Sequence, residues 1–92
     1  MPYQVVLAMP AQQDLGRLPP ELQDYLTAKI ARLAADPTRL SRPSAFPFPP
    51  GFQLFHPDPF TDAAGARHDF AVLFRYGQDE TTLHVAMIGH TG

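Results

Sequence analysis

The last third of the chain leaves the least freedom of fold. His68-Asp69-Phe70-Ala71-Val72-Leu73-Phe74-Arg75-Tyr76, a Gly77-Gln78-Asp79-Glu80 turn and then Thr82 to His90 make two runs rich in aromatic and β-branched residues around a cluster of turn formers. That pattern is a β-hairpin ending in Ile88-Gly89-His90. Side chains alternate across a strand, so parity assigns faces. Phe70, Val72, Phe74 and Tyr76 point one way and are expected to share the helix-packed side with Leu83, Val85 and Met87. Asp69, Ala71, Leu73 and Arg75 are expected to share the open face with His84, Ala86, Ile88 and His90. Two registers, two residues apart, keep the core set together. One sets Arg75 opposite His84 and Asp69 opposite His90; the other shifts both pairs, and the pattern does not choose.

Upstream, Tyr3 to Met9 is an apolar run closed by Pro10 and reads as a first strand. Ala11 to Leu18 has room for two helical turns with Leu15 and Leu18 inward. Pro19-Pro20 suits the start of a second helix, where proline costs nothing. From Glu21 to Ala35, Leu22, Leu26, Ile30 and Leu33 form one apolar stripe with Tyr25 beside it. Asp36-Pro37 ends that helix, because the residue before a proline is pushed out of helical geometry. The two helices form an αα-hairpin.

Pro37 to Pro59 holds seven prolines in 23 residues and excludes a regular helix or central strand. Phe46, Phe48, Phe52, Leu54, Phe55 and Phe60 make it too apolar for a free linker, so it is expected to lie along the core. Phe52 to His56 is a short strand within it, and Thr61 to Ala66 with Gly65 a second break.

Ninety-two residues are one small domain, 1–92, with 45% apolar and 17% charged side chains, a globular balance. With no cysteine, stability comes from packing. Neither a signal peptide nor a membrane span is visible, and a cytoplasmic protein is expected. The net charge of -2, with Lys29 the only lysine, disfavours a backbone-gripping RNA or ribosome binder, because phosphate contacts supply most non-specific affinity.

The order strand, two helices, long loop and a strand run closing on Ile-Gly-His resembles the RelE/ParE superfamily of bacterial toxins. Leu15 to Leu18-Pro19, with Ile30, Leu33 and Asp36-Pro37, is similar to the family's helical hairpin. His68-Asp69-Phe70 through Tyr76 is similar to its Gly-Asp-Tyr-Arg-Val-aliphatic-Tyr strand, and Val85 to His90 to its closing strand. The resemblance implies an α+β fold, a small antiparallel β-sheet with an N-terminal αα-hairpin packed on one face. It also implies the toxin of a type II toxin–antitoxin pair, held by an antitoxin protein. Such a toxin cleaves messenger RNA on the ribosome (RelE-like) or blocks gyrase (ParE-like). Ala71 stands where the family has an arginine, and the basic residue and tyrosine that often follow Ile-Gly-His are absent, so RNA cleavage is expected to be altered or lost. The rival is a non-catalytic interaction or homodimer module of the same fold.

RNA cleavage by 2′-hydroxyl attack needs a base, an acid and a cation. Parity gathers them on the open face: His90 as acid or base, Arg75 as phosphate clamp, Asp69 orienting a histidine, and His84 beside them. Arg67, His68 and His56 are not far along the chain. Asp58, Asp62 and Asp69 with the four histidines match no zinc spacing, so neither metal nor cofactor is expected. Ala71, Leu73, Ala86 and Ile88 form an apolar patch suited to a partner helix or a second copy, unless the proline-rich segment covers it.

Overall fold

In the computed structural model, which describes residues 2–45 and 48–92, the α+β fold is realised around one twisted sheet. In chain order the elements are β1 (Gln4–Leu7), α1 (Met9–Gly16), α2 (Pro20–Ala35), α3 (Pro37–Leu40), β2 (Arg42–Pro43), β3 (Phe52–Phe55), β4 (Phe60–Thr61), β5 (Arg67–Tyr76) and β6 (Thr82–Thr91). The sheet order is β1-β6-β5-β3-β2, with β4 paired to the start of β5. Every pairing is antiparallel except that of β1, which runs parallel to β6 from Gln4↔Thr82 to Leu7↔Val85. Among the described residues no helix is long and apolar enough to cross a membrane.

α2 sits where the sequence pattern puts it, whereas α1 begins and ends two residues before the expected Ala11 to Leu18 and takes Met9 and Pro10 from the end of the expected first strand. Pro10 and Pro20 each occupy the first turn, where the absent N–H would have had no helical partner. Leu22, Leu26, Ile30 and Leu33 are all buried, and with Leu83, Val85, Val72 and Phe74 they make the core. Full burial of a side chain of this size contributes about 1.5–3 kcal/mol. Asp36 ends α2 and Pro37 opens the four-residue α3. In the proline-rich stretch Phe55 is buried and Phe52, Leu54 and Phe60 half-buried, whereas Phe48 is exposed; Phe46 lies outside the described residues. Tyr25 ties this stretch to α2, since its hydroxyl donates to the Asp58 carbonyl while its ring packs 4.5 Å from that of Phe60. Burial and the nearby Asp58 push that hydroxyl's pKa up.

The hairpin departs from strict alternation at one place. Arg75 pairs with His84 and Phe74 with Val85, but Leu73 pairs with Met87, so Ala86 is an extra residue in β6. A bulge of this kind puts two residues opposite one and reverses the parity beyond it. Met87, expected in the core, is 43% exposed, and Ile88, expected on the open face, is 5% exposed beside Val72. His90 crosses too: it pairs with Phe70, and Asp69 faces Thr91 instead. Neither uniform register describes β6. The apolar patch therefore loses Ile88 to the core and gains Met87. Leu73 is 5% exposed between its cross-strand neighbours Leu54 and Met87, while Ala71 and Ala86 are half-buried.

Beyond the bulge β6 has outrun β1, whose ladder stops at Val85. The Ile88 N–H is taken instead by Asp14 Oδ2 at 3.0 Å, from α1. Asp14→Ala leaves a partly buried donor unpaired and should cost about 1–3 kcal/mol. Urea unfolding reads that loss, and the Ile88 amide should exchange faster with solvent in the variant.

Candidate functional site

Two groups of polar side chains are built on the hairpin, one at each end and on opposite faces. Arg75 and His84 meet near the turn, as one of the two registers required, in an open pocket of about 390 Å³ completed by Gly77, Gln78 and Asp79. Asp79 accepts from the Thr81 N–H at 3.0 Å and the Thr82 hydroxyl at 3.3 Å, which hold its carboxyl below the usual range. His84 packs over Gly77, where a Cβ would come within 3.0 Å of its Nε2. Among the described residues it has no side-chain hydrogen bond.

His90 is not in this group. Six residues of strand separate it from His84, about 20 Å at the rise of an extended chain, and the bulge turns it to the other face. Asp69 lies apart from both, in an exposed pair with Arg67 at 3.2 Å. Such a pair is worth little.

Around His90 the structure assembles a different set. Its Nε2 lies 2.9 Å from His68 Nδ1, and the opposite nitrogen of His68, Nε2, lies 2.7 Å from Asp62 Oδ2. The His90 ring lies over that of Phe70, centroids 4.8 Å apart and planes within 15°. His68 is 7% exposed and His90 is open to solvent. Asp62, His68 and His90 thus form one hydrogen-bonded line from a loop to the surface.

Each position has a local cause. His68 shares the parity of Phe70, Val72 and Phe74, so β5 buries it on the helix side. Asp62 opens the turn between β4 and β5. Its Oδ1 accepts from the Ala64 and Ala66 N–H groups, both at 2.9 Å, and Gly65 takes the left-handed conformation (φ +86°) that lets the turn close. With Oδ1 spent on the backbone, Oδ2 is left for His68. The His68 hydrogen bond foremost, then the Ala66 and Ala64 N–H groups, hold the Asp62 carboxyl below its ordinary 3.8.

In the unfolded chain Asp62 takes up its proton near the ordinary value; in the fold it does so only at lower pH. Its contribution is complete above that ordinary value and is lost as pH falls through the depressed one. The gap in urea midpoint between the wild type and Asp62→Asn should therefore narrow between about pH 5 and pH 2.

His90 opens onto a cleft of about 300 Å³ lined by Asp14, Arg17, Leu18, Pro19 and Ile88. Arg17 stands at the C-terminal end of α1 and makes no ion pair among the described residues. An imidazole and a guanidinium across a cleft can take a proton and hold a phosphate. Among the described residues no group of three or more His, Asp or Glu side chains could hold a metal ion.

Parity with an unbroken register misses this arrangement. In the sequence Asp62 stands only as part of a break and among aspartates that match no zinc spacing, and Arg17 carries no assigned role. The signals for Asp62 and His68 were an aspartate three residues before a glycine and a histidine on the core parity of β5.

No protein-family model matches the chain, and no curated protein matches its sequence. Solved structures do. The RelBE2 toxin–antitoxin complex of Mycobacterium tuberculosis superposes with a TM-score of 0.78 at 21% identity, covering 99% of this chain and 100% of that one. A mutant of the Escherichia coli toxin RelE in the free state gives 0.64 at 11% identity, over 97% of this chain and 83% of that one. The intact E. coli RelBE toxin–antitoxin complex gives 0.60 at 11%, over 95% and 94%. With coverage this complete, and with the helical hairpin laid on one face of the sheet, the chain has a RelE-like fold.

Proposed function

We propose that this chain is the toxin of a toxin–antitoxin pair, kept silent by a protein antitoxin, and that it cuts RNA without a metal from the His90 cleft. The observation carrying this reading is an open imidazole, backed by His68 and Asp62, that lines one cleft with a guanidinium making no ion pair among the described residues, on a RelE-like fold. The antitoxin is assigned by kind, because two of the structural neighbours are complexes of a toxin with its antitoxin. Ala71 and Ala86, with Met87 in place of Ile88 and Leu73 packed beneath them, are the partner face we favour, since the apolar surface of the open side gathers around Met87.

Arg75 and His84 we assign to contact with the target rather than to bond cleavage, because they sit too far from His90 to act on the same phosphate. The net charge of -2 gives RNA little long-range attraction, so recognition rests on the local cations. Inducing the chain in bacteria tests the reading. Growth should stop and cellular RNA should accumulate upstream fragments ending in cyclic phosphate. Intact RNA in arrested cells with altered DNA supercoiling would transfer the reading to gyrase inhibition, and unimpaired growth would leave an interaction module.

A further inference from the structure

We infer that Asp62 and His68 are positioning residues that hold the proton of the His90 ring on Nε2 and leave Nδ1 bare, so that Nδ1 is the atom that receives a proton from substrate. The inference rests on the proposed RNA-cleaving role for its substrate, but its core is a matter of hydrogen-bond bookkeeping.

An ionised carboxylate only accepts, and the two backbone N–H groups on Oδ1 favour that ionised form. His68 must therefore donate to Asp62 from Nε2, at 2.7 Å. A neutral imidazole has one donor and one acceptor, so His68 Nδ1 then accepts. The atom facing it at 2.9 Å is His90 Nε2, which must donate. The proton of neutral His90 is thereby placed, and Nδ1 keeps its lone pair. Each step follows from the one before, and the line begins at a carboxylate anchored by a turn.

Among the described residues the other charged groups lining this cleft are Asp14, whose Oδ2 already accepts from the Ile88 N–H, and Arg17, which only donates. A substrate fitting this chemistry is single-stranded RNA. Its phosphate would lie toward Arg17 and its ribose 2′-hydroxyl toward His90. The 2′-hydroxyl proton passes to His90 Nδ1, the 2′-oxygen bonds to phosphorus, and the bond from phosphorus to the 5′-oxygen breaks. The leaving oxygen takes a proton from water, and His90 returns its own to the solvent. While His90 carries two protons it still donates from Nε2 to His68, so no hydrogen bond in the line has to be broken.

Asp62→Asn makes a sharp test that keeps the turn. The asparagine carbonyl can accept from Ala64 and Ala66, which leaves its NH2 group facing His68 Nε2. His68 must then accept at Nε2 and donate from Nδ1, and His90 must accept at Nε2 and carry its proton on Nδ1. Substituting one atom should reverse two tautomers. Long-range 15N–1H correlation of the labelled chain at neutral pH reads this directly, with His56 and His84 as unaffected controls. The expected result is bare Nδ1 at both His68 and His90 in the wild type and bare Nε2 at both in Asp62→Asn. A wild-type His90 with its proton on Nδ1, or a His90 spectrum that is identical in the two proteins, overturns the inference.

Cleavage of a single-stranded RNA oligonucleotide supplies the second arm. Asp62→Asn should lower kcat roughly 10- to 100-fold with KM unchanged, the scale on which outer partners that fix a histidine act. The 2′-deoxy oligonucleotide should not be cut. If the tautomers reverse as expected and the wild type cuts no RNA, the proposed function falls and the positioning pair stands. If RNA is cut equally well by both proteins, the pair falls and the function stands.

Discussion

His90→Ala should lower RNA cleavage by about 100- to 10,000-fold, the range over which a positioned acid or base contributes, and expression of that variant should no longer arrest growth. Arg75→Ala and His84→Ala should act otherwise. They lie about 20 Å along the strand from His90 and on the reverse face, so they should raise KM or blunt recognition of the target and leave kcat near that of the wild type. Arg17→Ala should resemble His90→Ala more than Arg75→Ala, because Arg17 shares the cleft. Single-turnover cleavage with all four variants separates the two ends of the hairpin. Equal losses of kcat for His84→Ala and His90→Ala would mean that the two histidines serve one centre after all, which the bulge at Ala86 forbids. The His90 side chain itself should be expendable for folding. It is open to solvent, and its loss removes two ring contacts, with Phe70 and with His68, and one hydrogen bond with His68.

The fold was legible where a residue type had only one physical use. Leu22, Leu26, Ile30 and Leu33 repeat at helical spacing and are all buried. Pro20 and Asp36-Pro37 mark the ends of the helix they frame. Phe70, Val72 and Phe74 alternate and face the helices without exception. The site was legible only in part, because half of it hangs on one extra residue. Nothing about Ala86 distinguishes it from an in-register alanine, since small residues suit both faces and a bulge depends on how the two strands pack. A one-residue slip exchanges every side chain after it, so Met87, Ile88 and His90 were displaced together. Arg75 and His84 precede the slip, and they meet as one register required.

Asp62 shows a second kind of limit. Its backbone role could be anticipated from the Asp-Ala-Ala-Gly turn, but the direction of Oδ2 depends on where β5 places His68, twenty-two residues before the ring it reaches next. Local chemistry specified the turn, and tertiary packing gave it a partner. The same holds for Asp14, an unremarkable polar position on α1 until β6 outruns β1 and presents a bare N–H.

Ile88→Asp should leave the chain unfolded, whereas Met87→Asp should fold and lose little stability. The two residues are neighbours in sequence, both apolar, and strict alternation from Leu83 would place Met87 inside and Ile88 outside. With Ala86 as an extra residue the order is reversed: Ile88 is 5% exposed against Val72, and Met87 is 43% exposed. Truncating a core isoleucine alone costs about 2–5 kcal/mol. Placing a carboxyl there without a hydrogen-bond partner adds several kcal/mol more, whether it stays charged or takes up a proton. A domain of this size has about 5–15 kcal/mol in total, so the sum is comparable to all of it. Met87→Asp exposes a carboxylate to water and should cost under about 1 kcal/mol, the scale of surface changes. Circular dichroism melts of the two variants decide the matter. The opposite ranking, with Ile88→Asp folded and Met87→Asp unfolded, would restore the uniform register, return His90 to the face of Arg75 and His84, and separate it from His68 and Asp62.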